Sequence, residues 1–288
     1  MKELILLVAP PGAGKSSLAT TFITHAYVNQ DSQGKEGHWV KFVDDVVMGR
    51  NIIVDRLNHL KDQRNKYLSL AKEYGYTTRI IVLHVSSDVC MSRCLARTGH
   101  QTITTPQDAS RAIDMFFRKY ERVQDNEADV VERRGWDGPK DLCIITDLDG
   151  TLADLRHRLH FVNGTDNITE RKKDWKSFFK AAPDDAVHEW CRSILDTAKL
   201  PVVVATARPD EYKKDTKDWL DKHGISYNHM VMRRRNDYRH DTIVKEMMLE
   251  FELLPKYNIL FWLDDRGSVI KMLRSHGVRV LDCQGEDF

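Results

Sequence analysis

Residues 9–17 read APPGAGKSS and directly follow the apolar run LILLV at 4–8, a juxtaposition that few folds accommodate. The stretch matches the phosphate-binding loop G-x-x-x-x-G-K-[ST], with Ala9 where the first glycine is usual. Gly12 and Gly14 let backbone N–H groups wrap a phosphate chain, and Lys15 brings a cation to the β and γ phosphates. The Ser16 hydroxyl is a Mg²⁺ ligand of the right type, and Ser17 beside it closes the loop. Such a loop works only between a strand and a helix. Both are present: the apolar run before it and a helical pattern from Lys15 after it.

Strand and helix go on alternating. Apolar, β-branched runs at 51–55 (NIIVD) and 79–85 (RIIVLHV) are separated by a polar helical stretch that ends KEYGY. This is the pattern of a parallel sheet covered by helices. Residues 106–134 read as helical and highly charged, and RRGWDGPKD at 133–141 then gathers two glycines and a proline. A boundary there gives domains 1–137 and 138–288, and a chain of 288 residues suits two domains of about 140 each. Beyond it the alternation restarts with LCIIT (142–146), PVVVAT (201–206), NILFWL (258–263) and VRVLDC (278–283).

Composition excludes several classes. With 41% hydrophobic and 30% charged residues the chain is globular rather than disordered. LILLVA is shorter than a signal-peptide core, and no other segment approaches the ~18 apolar residues of a membrane span, so a cytoplasmic protein is expected. Five cysteines without paired CxxC spacing argue against a disulfide framework or a zinc site. A net charge of +1 gives no global basic field, so any nucleic-acid contact must come from local patches such as RRR at 233–235 or RKK at 171–173.

A second phosphate chemistry sits mid-chain. DLDGT at 147–151 is the D-x-D-G-T signature of haloacid dehalogenase-type phosphotransferases. Asp147, at a strand end, is the expected nucleophile that becomes an aspartyl phosphate. Asp149 is the expected acid and base, protonating the leaving oxygen and then deprotonating water, and Gly150 permits the turn. Such a site needs a hydroxyl, a cation and a further carboxylate from later strands. Thr206, Lys245 and the pair Asp264 and Asp265 appear in that order. Asp264 or Asp265 completes a Mg²⁺ site with Asp147 and the main-chain carbonyl of Asp149. Arg208 and Arg239 are candidate phosphate or substrate contacts. The fold class is therefore α/β in two domains, a phosphate-loop kinase sheet followed by a sheet like that of the haloacid dehalogenases.

Three further residues belong to the first domain. Asp31, in YVNQDSQGK, follows a strand and stands where a carboxylate can take the proton of an attacking hydroxyl, although an isolated Asp also serves as a cap or turn residue. Arg93 and Arg97 are one helical turn apart and can reach ATP phosphates from a lid, with plain surface solvation as the alternative. Asp55 ends its strand where a carboxylate assists a magnesium site; spacing assigns no role to Arg56 or Asn58.

Together these residues resemble the phage-type polynucleotide 5′-kinase/3′-phosphatases, bifunctional end-healing enzymes, over essentially the whole chain and in the same domain order. The matching stretches are PPGAGKSS, NQD at 29–31, the Arg93/Arg97 pair, DLDGTLA, VVVATAR, RHDTIVKE, LDDR and the terminal GEDF. The resemblance makes Asp31 the general base and Arg97 the lid arginine. It implies ATP or another NTP as donor, Mg²⁺, RNA or DNA ends as substrates, a polynucleotide ligase as functional partner and a homo-oligomer. Where the phage family carries an arginine soon after the base, this chain has Gly34 and Lys35, which leaves Lys35 as the candidate contact to the acceptor. The two motifs alone also permit a small-molecule kinase fused to a metabolite phosphatase, or an NTP-gated module that only binds phosphorylated ends.

Overall fold

A computed structural model of the chain describes residues 2–97, 103–135, 138–162 and 173–283. The terminal GEDF, two residues of the RKK patch and the stretch just after Arg97 lie outside the described residues. Contacts divide the chain into two units, Met1–Gly138 and Pro139–Phe288.

The first unit holds a sheet of five parallel strands: β1 (Glu3–Val8), β2 (Ala26–Asn29), β3 (Ile52–Asp55), β4 (Thr77–Leu83) and β5 (Val130–Arg134), in the order β2-β3-β1-β4-β5. β1 is central, and its residues Leu4 to Val8 are fully buried, which is why it reads as an unbroken apolar run rather than an alternating one. The helices are α1 (Lys15–Ala19), α2 (Gln30–Gln33), α3 (Gly37–Val47), α4 (Lys61–Glu73), α5 (Ser87–Ala96) and α6 (Pro106–Lys119). α1 is only five residues long. After it the Thr20 and Thr21 hydroxyls donate to the carbonyls of Ser17 and Leu18, at 2.8 and 2.7 Å. α6 opens on a reciprocal cap between Thr105 and Asp108 and buries Ala109, Ile113, Phe116 and Phe117 on one face.

The charged stretch expected to stay helical to residue 134 instead ends its helix at Lys119, and β5 is a strand. VVERR sits at the sheet edge, where its charges reach solvent and cross-strand partners; Glu132 pairs with Arg79 of β4 at 3.1 Å.

The second unit repeats the plan. β6 (Asp141–Thr146), β9 (Val202–Pro209), β10 (His229–Arg233), β11 (Tyr257–Asp264) and β12 (Val280–Asp282) form a parallel sheet in the order β10-β9-β6-β11-β12. A small antiparallel pair, β7 (Ala153–Asp154) and β8 (Ala186–Val187), brackets an insertion carrying a 3₁₀ turn (Arg156–Phe161) and α7 (Trp175–Lys180). α8 (Glu189–Ala198), α9 (Lys213–Lys222), α10 (Asp241–Met247) and α11 (Gly267–Ser275) complete the unit. Leu195, Trp219 and Leu220 pack with Ile144, Val204 and Leu263 of the strands in one core. The insertion has a core of its own, Leu155, Val162 and Phe178. All five cysteines are free.

Candidate active sites

Both sheets present their chemistry at the carboxyl ends of adjacent parallel strands, the place where open α/β sheets bind ligands. In the first unit the loop after β1 turns through Gly12 and Gly14, whose φ angles are +80° and +97°. At Gly12 a Cβ would fall 2.3 Å from the Cys90 carbonyl oxygen and 2.9 Å from the Cys94 sulfur of α5, so the position requires glycine twice over. Lys15 is buried and its ammonium donates to the Ala9 and Pro10 carbonyls at 3.0 and 2.9 Å. Burial lowers its pKa, and Asp55 opposes that shift.

Asp55, at the end of β3, gathers three donors on one oxygen: Ser16 Oγ at 2.7 Å, Tyr27 Oη at 2.7 Å and Asn29 Nδ2 at 3.1 Å. Burial and the Asp55 carboxylate push the Tyr27 phenol up to about 12. A cavity of about 590 Å³ opens over the loop and is lined by Lys15, Ser16, Asp31, Asp55, Arg97 and Arg111 among others. Gly12 and Gly14 also line it. Asp31 is exposed on α2, immediately beyond β2.

Three expected residues fall outside that lining. Arg93 turns behind the loop and donates to the Ala13 carbonyl at 3.5 Å. Arg97 is the C-cap of α5, φ −79° and ψ 140°, and of the two arginines it alone lines the cavity. Lys35 is exposed in the link between α2 and α3, and Ser17 is exposed on α1, facing away from the cavity lining.

In the second unit Asp147 directly follows β6 and is only 5% exposed. Lys245 of α10 bridges two carboxylates, with Nζ 2.9 Å from Asp147 and 2.7 Å from Asp264. Asp265 accepts from the Thr151 hydroxyl at 2.9 Å. Ligand oxygens of Asp147, Asp264 and Asp265 lie within 4.8 Å of one another. Burial pushes the Asp147 carboxyl well above its ordinary range; Lys245 opposes the shift, and Asp264 and Asp265 add to it. Burial likewise takes Asp265 up to about 6. Burial works against the charge on Lys245, but Asp147 and Asp264 hold its pKa above the usual lysine value. The φ of +88° at Gly150, and a Cβ that would meet Asp265 Oδ2 at 2.2 Å, fix glycine in the turn.

Asp149 stands apart from this cluster. Its Oδ1 accepts from Arg158 Nη2 and from Arg208 Nη2, each at 2.5 Å. Burial opposes its charge, yet the two arginines hold the carboxyl well below the usual carboxylate range. Arg208, expected to contact phosphate or substrate, is instead buried against Asp149 and the Thr216 hydroxyl, the latter at 3.2 Å. Thr206 lines the cavity over Asp147, and so does Arg239, which is held by Asp237 at 2.6 Å.

A family model described as the polynucleotide kinase PNKP phosphatase domain matches residues 141–288, just over half of the chain. The chain belongs to the polynucleotide kinase phosphatase family. A second model, for an AAA domain, matches residues 37–122, beginning after the phosphate loop. Among curated proteins, "Transcription factor bHLH140" of Arabidopsis thaliana is 26% identical over 135 residues, 43% of this chain and 15% of that protein. "Putative bifunctional polynucleotide kinase/RNA ligase" of Autographa californica nuclear polyhedrosis virus is 21% identical over 305 residues, 94% of this chain and 41% of that protein. The chain thus spans less than half the length of these relatives. A chain in the solved "Structure of the Pnkp1/Rnl/Hen1 RNA repair complex" is 23% identical, with 100% of this chain and 97% of that one covered and a TM-score of 0.43.

The fold adds residues that spacing did not reveal. Arg158 and Asp185, both buried in the insertion, pair at 2.6 Å and support Asp149 from behind. Asp241 pairs with both Arg233 and Arg266 at the cavity wall. In the first unit Arg56, Asn58 and His59 line the cavity. Asn58 Oδ1 and His59 Nδ1 are buried without a hydrogen-bond partner. The only hint in the sequence is that RLNH directly follows the strand NIIVD.

The acidic cluster fits a hard divalent cation. Three carboxylates meet one ammonium, leaving negative charge in a buried place, and Asp147 Oδ1 is buried with no hydrogen-bond partner. Among the described residues no helix is long and apolar enough to cross a membrane.

Proposed function

We propose that the chain is a bifunctional end-healing enzyme that phosphorylates 5′-hydroxyl ends with ATP or another NTP and removes 3′-phosphate from RNA or DNA ends before ligation. The observation that carries this reading is the presence on one chain of two separate phosphate-handling sites, a loop cavity built around Lys15 and an acidic cluster built around Asp147. A break with 5′-hydroxyl and 3′-phosphate ends must gain phosphate on one side and lose it on the other before a polynucleotide ligase can act. The relative from Autographa californica nuclear polyhedrosis virus, whose name joins a polynucleotide kinase to an RNA ligase, supports that sequence of events.

In the kinase, the loop N–H groups and Lys15 receive the β and γ phosphates, with Lys15 turning from the Ala9 and Pro10 carbonyls. Ser16, already oriented by Asp55, is the hydroxyl that would hold Mg²⁺. Asp31 takes the proton of the 5′-hydroxyl as that oxygen attacks the γ phosphorus and the bond from phosphorus to the β–γ bridging oxygen breaks, releasing the nucleoside diphosphate; Arg97 and Arg111 face the charge that develops.

In the phosphatase, Asp147 attacks phosphorus and the bond to the 3′ oxygen breaks. The arginine pair holds Asp149 as an anion and aims it. A dianionic phosphate arriving beside it raises its proton affinity, so that it takes up a proton from water and passes it to the leaving oxygen as the bond breaks. The resulting carboxylate then deprotonates the water that releases inorganic phosphate from Asp147. Lys245 screens the attacking carboxylate from Asp264, and Thr206 is placed to bind a phosphate oxygen. Mg²⁺, held by Asp147, the Asp149 carbonyl and Asp264 or Asp265, would neutralise phosphate charge during transfer.

The test is labelled ATP with a 5′-hydroxyl oligonucleotide, set beside nucleosides and sugars, together with phosphate release from a 3′-phosphorylated oligonucleotide. Transfer to the oligonucleotide and release from its 3′ end are expected. Preference for a nucleoside or sugar would replace this reading with a small-molecule kinase.

A further inference from the structure

The cavity over Asp147 holds more than the acidic cluster. Its volume is about 600 Å³, and its lining includes Trp175, Phe179, Tyr212 and Tyr238, a run of aromatic rings that the phosphate chemistry does not use. Trp175 and Phe179 stand one turn apart on α7 with ring planes 23° apart and centroids separated by 6.0 Å. Tyr212, which arrives from the segment after β9, lies 5.2 Å from Phe179 at 36°. Tyr238 comes from a third segment, between β10 and α10, and is 89% exposed.

Packing does not account for all of these rings. The insertion buries Leu155, Val162 and Phe178 as its core, and Phe179 leans against it. Trp175 is outside that core and 43% exposed. Tyr238 touches the protein through its hydroxyl, which donates to Asn236 Oδ1 at 3.2 Å, and leaves its ring face in the cavity lining. Lys173, with Nζ 5.6 Å from the Trp175 ring centroid, and Lys176 add positive charge to the same wall.

We propose that this aromatic wall is a base-stacking subsite for the terminal nucleotides of the strand whose 3′-phosphate reaches Asp147. The proposal rests on the 3′-phosphatase reading above and names what holds the end of that strand. A phosphoester reaching Asp147 must enter the cavity with its terminal nucleotide, which brings the attached bases to these ring faces. Every base has a π-face on which an aromatic ring can stack, while lysines follow the phosphate backbone.

The experiment compares two 3′-phosphorylated single strands, one with normal bases and one abasic at its last two positions, on the full-length protein and on Trp175→Leu, Tyr238→Ala and Tyr238→Phe. For the parent, the abasic strand should show a KM roughly ten- to a hundredfold higher at similar kcat. Trp175→Leu and Tyr238→Ala should raise KM for the normal strand toward the abasic value and leave the abasic strand unchanged, and Tyr238→Phe should behave as the parent. Equal KM for the two strands in the parent, or equal losses on both in the variants, would overturn the stacking subsite while leaving the phosphatase in place. Release of phosphate from neither strand, with turnover of a simple sugar phosphate, would overturn the function and the subsite together.

Discussion

The fully buried Arg158 guanidinium donates from Nη2 to Asp149 at 2.5 Å and holds Asp185 through Nε and the same Nη2, at 2.7 and 2.6 Å. One cation therefore serves two carboxylates, one facing the cavity and one behind it. Arg158→Gln removes that cation and leaves Asp185, which is also buried, with His157 at 2.9 Å and Arg208 at 3.8 Å. A loss of about 3–5 kcal/mol in the stability of the second unit is expected, together with loss of 3′-phosphate release. Kinase activity should persist. Denaturant unfolding followed by tryptophan fluorescence, with both assays alongside, measures all three.

Gly150 carries a sharper expectation, because a methyl group there would overlap the Asp265 carboxylate at a φ that L-residues avoid. Gly150→Ala should cut phosphatase kcat by roughly a hundredfold or more, as expected when a catalytic turn is displaced by about an ångström. The first unit should melt unchanged. Near-parent turnover would mean that the turn tolerates the methyl and that Asp265 is not held by it.

His59 supplies the pH dependence. Burial, with Lys119 and Arg56 nearby, lowers its pKa to about 4 from 6.5, so the folded chain keeps it neutral. As pH falls below about 6.5 the unfolded chain takes up a proton that the folded chain refuses, so stability drops down to about pH 4 and then levels. His38 and His223 are shifted in the same direction and add to the slope. Thermal melts of His59→Gln across this window should show a shallower fall than the parent. An identical slope would place the proton uptake elsewhere.

Much of each site was legible because parallel sheets place their chemistry at strand ends. Asp147, Thr206, Asp264 and Asp55 each close an apolar run, so locating the strand locates the residue. Arg158 and Asp185 gave no such signal. They sit in short irregular segments without period, 27 positions apart, and only the fold of the insertion joins them. Arg208 is a candidate substrate contact in sequence, and only the fold shows its side chain turned to Asp149. VVERR was mistaken for helix because charge in an edge strand resembles charge on a helix face.

Asp31 is the assignment that leans most on family likeness, since its position on the short α2 is equally that of a first-turn carboxylate. Asp31→Asn should bind ATP nearly as well as the parent and transfer phosphate roughly 10²- to 10⁴-fold more slowly. Parent-like transfer to a 5′-hydroxyl RNA would return Asp31 to a capping role and direct attention to Asp55.

Independence of the two sites is the central claim, and one crossed assay addresses it. Lys15→Ala and Asp147→Asn, each shown to be folded by circular dichroism, are given the same oligonucleotide bearing a 5′-hydroxyl and a 3′-phosphate. Mass spectrometry of the product then reads both ends at once. Lys15→Ala should yield a strand with both ends hydroxyl, and Asp147→Asn a strand with both ends phosphorylated. If either variant left both ends untouched, or if both variants processed both ends, the account of two opposite phosphate transfers on one chain would be contradicted.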